Sequence, residues 1–89
     1  MRAIREGYVP NQPIREAFLR SGLTTYDVAL FCKWVKGKQK SPDTTRVERY
    51  LGLKAMKGVR FNVSIAEHNA LKIIEALNLD PVDFRDIGL

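Results

Sequence analysis

Residues 36–54, KGKQKSPDTTRVERYLGLK, hold the side chains best suited to chemistry in this chain of 89 residues. Thr44 and Thr45 carry hydroxyls that donate or accept hydrogen bonds, and methyls that can meet another methyl. Arg49 offers a planar fork of donors that can hold two acceptors at once. Lys36, Lys38 and Lys40 precede this group, Arg46 lies within it, and Lys54, Lys57 and Arg60 follow it. These cations suit anionic oxygens such as phosphates. Glu48 can accept from an amine, or pair with Arg49, Lys54 or another cation. All of this is recognition chemistry rather than bond making. It matches the base edges and phosphates of a DNA duplex, provided that one helix aligns the threonines with the arginine.

The charge is concentrated where these residues lie. Between Lys33 and Arg60, nine basic residues oppose Asp43 and Glu48, whereas the whole chain carries only +5. The remainder is therefore net acidic, and the asymmetry suggests a polyanionic partner for the middle of the chain. Charge alone is equally consistent with a solvated basic loop. The length suits a single domain, residues 1–89, with 1–10 as an N-terminal arm. Cys32 is the sole cysteine, so no disulfide can form within the chain, which fits a reducing compartment. No stretch resembles a signal peptide or a membrane span, so we expect a soluble, cytoplasmic protein with no membrane partner.

Bond-making chemistry finds no support. His68 has no second histidine or cysteine at ligand spacing, so no metal is expected. Cys32 lies among apolar residues and reads as a small core filler. Trp34 could stack on a base, but packing is its commoner role. Helix capping accounts for Asp80 and Asp83 better than catalysis does. There is no Ser-His-Asp order and no phosphate-binding glycine loop. Neither an enzyme nor a cofactor is expected.

The elements that must position these residues are helical. Pro13 suits a first helical turn ahead of IREAFLRSGL, which Gly22 can close. Thr24 stands three residues before Asp27, a capping-box-like start for a second helix. That helix is expected to bury Val28, Ala29, Phe31, Cys32 and Val35, with Gly37 and Pro42 interrupting it. Asp43 can cap a third helix through the N–H of Thr45 or Arg46. Val47, Tyr50 and Leu51 fall on one side of it, Thr44, Thr45, Glu48 and Arg49 on the other, and Gly52 closes it. Ser64-Ile65-Ala66-Glu67 reads as a capping box for a fourth helix. Its apolar face is Ala70, Leu71, Ile74 and Leu77, with Ile73 beside them. Asp80 and Pro81 begin a short fifth helix carrying Val82, Phe84 and Ile87. Val59, Phe61 and Val63 alternate, so 58–63 could form a short strand or wing. The expected fold class is all-α, with five short helices.

At these residues the chain resembles the Xre/Cro family of small helix-turn-helix repressors, above all the short phage and actinobacterial members. The resemblance rests on IREAFLRSGLTTYDVALFCKW, DTTRVERYLGL and SIAEHNALKIIEALNLDPVDF, about three quarters of the chain. Val28-Ala29 stand for the family's Leu-Ala pair, and Val47 and Tyr50 for the apolar positions of its recognition helix. The resemblance implies a Cro/repressor-like fold and binding to double-stranded DNA, with Thr44, Thr45 and Arg49 against bases. Lys36, Lys38, Lys40, Arg46, Lys54, Lys57 and Arg60 would then lie on the DNA backbone. A homodimer is compatible with the family, although no dimer helix stands out. The chain departs from the pattern in one clear respect. Ala29 and Val47 are 18 positions apart, and the stretch VKGKQKSP lengthens the turn. A second departure is the LKAMKGVRFNV connection, a candidate basic wing. Two other readings stay open: a protein-interaction module for an acidic host protein, and a recombination accessory factor.

Overall fold

The computed structural model describes residues 7–53 and 62–87. Four α-helices and a closing 3₁₀ segment carry the fold, with two small antiparallel sheets between them. The order is β1 (Tyr8–Pro10), α1 (Gln12–Ser21), α2 (Thr25–Cys32), β2 (Val35–Lys36), β3 (Ser41–Pro42), α3 (Thr44–Leu51), β4 (Ser64–Ala66) and α4 (Glu67–Ala76). Residues Pro81–Ile87 then form the 3₁₀ segment, which kinks at Phe84. Among the described residues no helix is long and apolar enough to cross a membrane.

Local chemistry sets most helix ends. Thr24 Oγ1 accepts from the Asp27 N–H at 3.1 Å, and the Asp27 carboxylate accepts from the Thr24 N–H at 3.0 Å. The Thr24 N–H, and after it the Thr24 hydroxyl, hold the Asp27 carboxyl below its ordinary pKa. Asp43 Oδ1 accepts from the Arg46 N–H at 3.1 Å and so starts α3. Gly22 and Gly52 end α1 and α3 in the left-handed conformation, at φ of 77° and 67°. Glycine adopts it without a Cβ clash.

Strands stand where the sequence led us to expect helix or coil. Ser64 caps nothing: β4 pairs with β1 in the register Tyr8↔Ala66, Val9↔Ile65, Pro10↔Ser64. The Glu67 N–H, at the start of α4, donates instead to the Gly7 carbonyl at 2.8 Å. A backbone group carried by the N-terminal strand thus replaces the expected side-chain cap. The N-terminal arm is therefore structural from Gly7 onward, and its first six residues lie outside the described ones. Residues 58–61 of the expected strand also lie outside them, and Asn62 and Val63 are not in a strand.

The core lies where α1, α2, α3 and α4 meet. Ile14, Val28, Ala29, Val47, Leu51, Ala70, Ile73 and Ile74 are fully buried there, with Phe18, Leu77 and Phe84 close behind. Two expectations fail. Leu71 is only partly buried, and Ile73 takes its place. Residues 70, 73, 74 and 77 follow the i, i+3, i+4, i+7 rule, which leaves Leu71 on the flank. Phe31 and Val35, expected inside, are 52% and 49% exposed. Apart from Thr25 and Asp27 in its first turn, helix α2 is apolar all round, and the core takes the side bearing Val28, Ala29 and Cys32. Tyr26, Leu30 and Phe31 face outward.

Candidate nucleic-acid interface

The lengthened turn between α2 and α3 is a β-hairpin. Lys33 leaves α2 in the left-handed conformation, φ 60°. The Trp34 N–H then donates to the Ala29 carbonyl at 3.0 Å, and the Trp34 carbonyl accepts from the Asp43 N–H at 2.8 Å. Between these bonds β2 and β3 pair as Val35↔Pro42 and Lys36↔Ser41. Gly37 and Lys40 take positive φ, 75° and 53°, to turn the chain at the tip. Lys36, Lys38 and Lys40 are all exposed on this hairpin.

Helix α3 keeps the expected division of faces in part. Val47 and Leu51 are buried, and Thr45 and Arg49 are exposed. Thr44, Arg46, Glu48 and Tyr50 lie half-buried on the two flanks. Lys36 Nζ donates to Thr45 Oγ1 at 3.4 Å, so the hairpin and the exposed face of α3 form one surface. Lys36 and Thr45 thus touch, Arg49 lies one turn further along the exposed side of α3, Lys38 and Lys40 lie toward the hairpin tip, and Thr44 is half-buried. Lys54, Lys57 and Arg60 lie outside the described residues.

Two arginines of α3 lie against Tyr50: the Arg49 guanidinium carbon is 5.9 Å from its ring centroid, and Arg46 packs more closely, against two rings. The Arg46 guanidinium carbon lies 4.5 Å from the centroid of the Trp34 ring and 5.4 Å from that of Tyr50. The two rings meet edge to face at 5.4 Å. Arg46 Nε donates to the Tyr50 hydroxyl at 3.1 Å, and Asn69 Nδ2 donates to the same oxygen at 3.3 Å. Trp34 is only 5% exposed, in keeping with the packing role expected of it.

The far end of α3 is fixed by side chains that sequence reading did not single out. The last carbonyls of a helix lack partners within it. Here Asn11 Nδ2 donates to the Tyr50 carbonyl at 2.9 Å, and Arg15 Nη1 donates to the Leu51 carbonyl at 3.3 Å. Arg15 Nη2 also reaches Asn62 Oδ1 at 2.7 Å, and Asn11 Oδ1 accepts from the Val63 N–H at 3.2 Å. These bonds span between 36 and 52 positions of sequence. No local signal could have revealed them. His68 is exposed, and Cys32 is buried at the rim of the core, with Lys72 and Glu75 nearby. Burial pushes the Cys32 thiol up to about 11.

No protein-family model, curated protein or solved structure matches the chain.

Proposed function

We propose that the protein is a sequence-specific DNA-binding transcriptional regulator, a phage-type repressor or Cro-like protein, that reads the major groove with α3. The observation that carries this reading is the exposed pair Thr45 and Arg49 on α3, with Lys36 of the hairpin against Thr45. A helix entering a major groove needs exposed donors and acceptors on one side and a fixed body behind it. Thr45 and Arg49 supply the first, and Val47 and Leu51, with the Asn11 and Arg15 bonds, supply the second. Lysines beside the N-terminal end of such a helix suit phosphates at the groove rim. The resemblance to Xre/Cro repressors points the same way.

The test is selection of bound duplexes from a random pool at stated salt. An enriched consensus supports the reading, and a palindromic one adds a homodimer, since operator symmetry mirrors protein symmetry. A second reading has its own observation. Tyr26, Leu30 and Phe31 leave an apolar side of α2 exposed, as a protein-interaction module would. Failure to enrich any duplex, even at low salt, would favour it. A recombination accessory factor would use the 54–63 connection as its wing, and most of that connection lies outside the described residues.

A further inference from the structure

We propose that Arg46, caged by Trp34 and Tyr50, is a preset seat for one DNA-backbone phosphate, with the two aromatic residues as its positioning residues. The inference rests on the DNA reading and deepens it. The guanidinium carbon sits in the corner between the two edge-to-face rings, and Nε is spent on the Tyr50 hydroxyl. What remains is the edge carrying Nη1 and Nη2. Among the described residues this edge has no acceptor. It is not sealed from water either, because no buried side-chain nitrogen or oxygen lacks a partner. Asp43 precedes Arg46 by three positions, and its Oδ1 takes the Arg46 backbone N–H. The result is a half-buried cation packed against two rings, with a two-nitrogen donor edge that donates to none of the described residues and is not fully buried. Packing alone does not require this, because a leucine would cover the Trp34 ring without leaving charged donors to hydrate.

Helical geometry selects the acceptor. Successive residues turn by about 100° around an α-helix. Thr45 and Arg49 mark the exposed side and Val47 and Leu51 the buried one, which puts Arg46 on the flank shared with Tyr50. A guanidinium folded back onto that flank faces the wall of a groove occupied by α3, and the acceptors on the wall are phosphate oxygens. Bases on the groove floor are left to Thr45 and Arg49. A paired fork suits a phosphate's two free oxygens. The cage has already removed the side-chain freedom that binding would otherwise cost.

The experiment scans methylphosphonate substitutions, each removing one phosphate charge, along a duplex enriched by the full chain. At one position neutralisation should weaken the unmodified protein roughly tenfold, about 1.4 kcal/mol, and leave Arg46→Met indifferent. Arg46→Met should also flatten the slope of log affinity against log salt by about 0.9. Arg46→Lys keeps the charge but loses the fork, so it should keep the slope and blur the positional effect. Tyr50→Phe removes only the hydroxyl and should weaken the response at that same phosphate, leaving the others unchanged. Trp34 is the only tryptophan, so its fluorescence reports on the cage directly. It should change on binding in the unmodified protein and much less in Arg46→Met. If Arg46→Lys and Tyr50→Phe, both folded, respond to every methylphosphonate as the unmodified protein does, the seat is rejected and the DNA reading stands. If the unmodified protein binds no duplex, both fall.

Discussion

Asn11→Ala probes how much the fold depends on one carboxamide. Asn11 is 0% exposed and ties the end of α3 to the segment leading into β4. Removing its Nδ2 leaves the Tyr50 carbonyl unpaired in the interior, which costs about 1–3 kcal/mol. The Val63 N–H loses its partner too, but Val63 is 36% exposed and water takes over in part, so this loss is only about 1 kcal/mol. Together the losses come to about 2–4 kcal/mol, against a total of about 4–13 kcal/mol for a domain of this length. In a small domain each kcal/mol moves the midpoint by about 4–8 °C, so the Tm should fall by about 10–25 °C. Asn11→Asp sharpens the test. It keeps an acceptor for Val63 but sets an oxygen against the Tyr50 carbonyl, where only a protonated carboxyl can donate. Burial would raise the pKa of that carboxyl in the folded state. Its contribution is then fully present below the unfolded value of about 3.9 and is lost as pH rises through the folded value. The deficit of Asn11→Asp should therefore grow from acid to neutral pH, while that of Asn11→Ala should not. Thermal melts followed by far-ultraviolet circular dichroism at several pH values read both. An unchanged midpoint for Asn11→Ala, or parallel pH profiles for the two variants, would refute the reasoning.

The two faces of α4 can be separated by denaturant unfolding: Ile73→Ala should cost about 2–5 kcal/mol and Leu71→Ala about 1 kcal/mol or less. Equal losses would put the buried face in the wrong place. The Cys32 thiol, raised from 9.0 to about 11, stays protonated at neutral pH. Alkylation should therefore be slow in the native protein and fast once denaturant unfolds it. Because the folded pKa is the higher one, the thiol's contribution to stability is full below about 9 and lost as pH rises through about 11. Lys38→Ala and Lys40→Ala should weaken binding to all duplexes alike. Each should flatten the salt slope by about 0.9 if its lysine neutralises one phosphate. Arg49→Ala should cost about 1–3 kcal/mol on an enriched duplex and much less on a scrambled one. Equal losses on both would reject its base-reading role.

What could be read in the sequence was what depends on near neighbours. Thr24 with Asp27, Asp43 with Arg46, and the glycines at 22 and 52 act within four positions, and each stands where its chemistry put it. The exposed pair Thr45 and Arg49 followed from helical spacing alone. Pairings between distant parts were not legible. β1 meets β4 across more than fifty positions, and that pairing makes a strand of what reads locally as a capping box. The hairpin strands are two residues each, too short to show alternation. Beyond Asp27 every residue of α2 is apolar, which gives no hint of which side turns inward, so the outward position of Phe31 has no local signal. Arg46 has the right spacing for a groove edge, but its cage depends on Trp34, which the α2 end and the hairpin neck hold in place.

The bond from the Asp43 N–H to the Trp34 carbonyl closes the hairpin at its neck. The chain leaves and returns at nearly one point, so residues 35–42 form a bud on a short bend rather than a spacer within it. Two residues between Trp34 and Asp43 would close the same bond as an ordinary β-turn. The angle between α2 and α3 is thus set below the bud, by the neck and by the apolar packing of Val28, Ala29 and Val47. Changes in length or charge at the tip should therefore leave that angle unaltered and alter only how far the lysines reach.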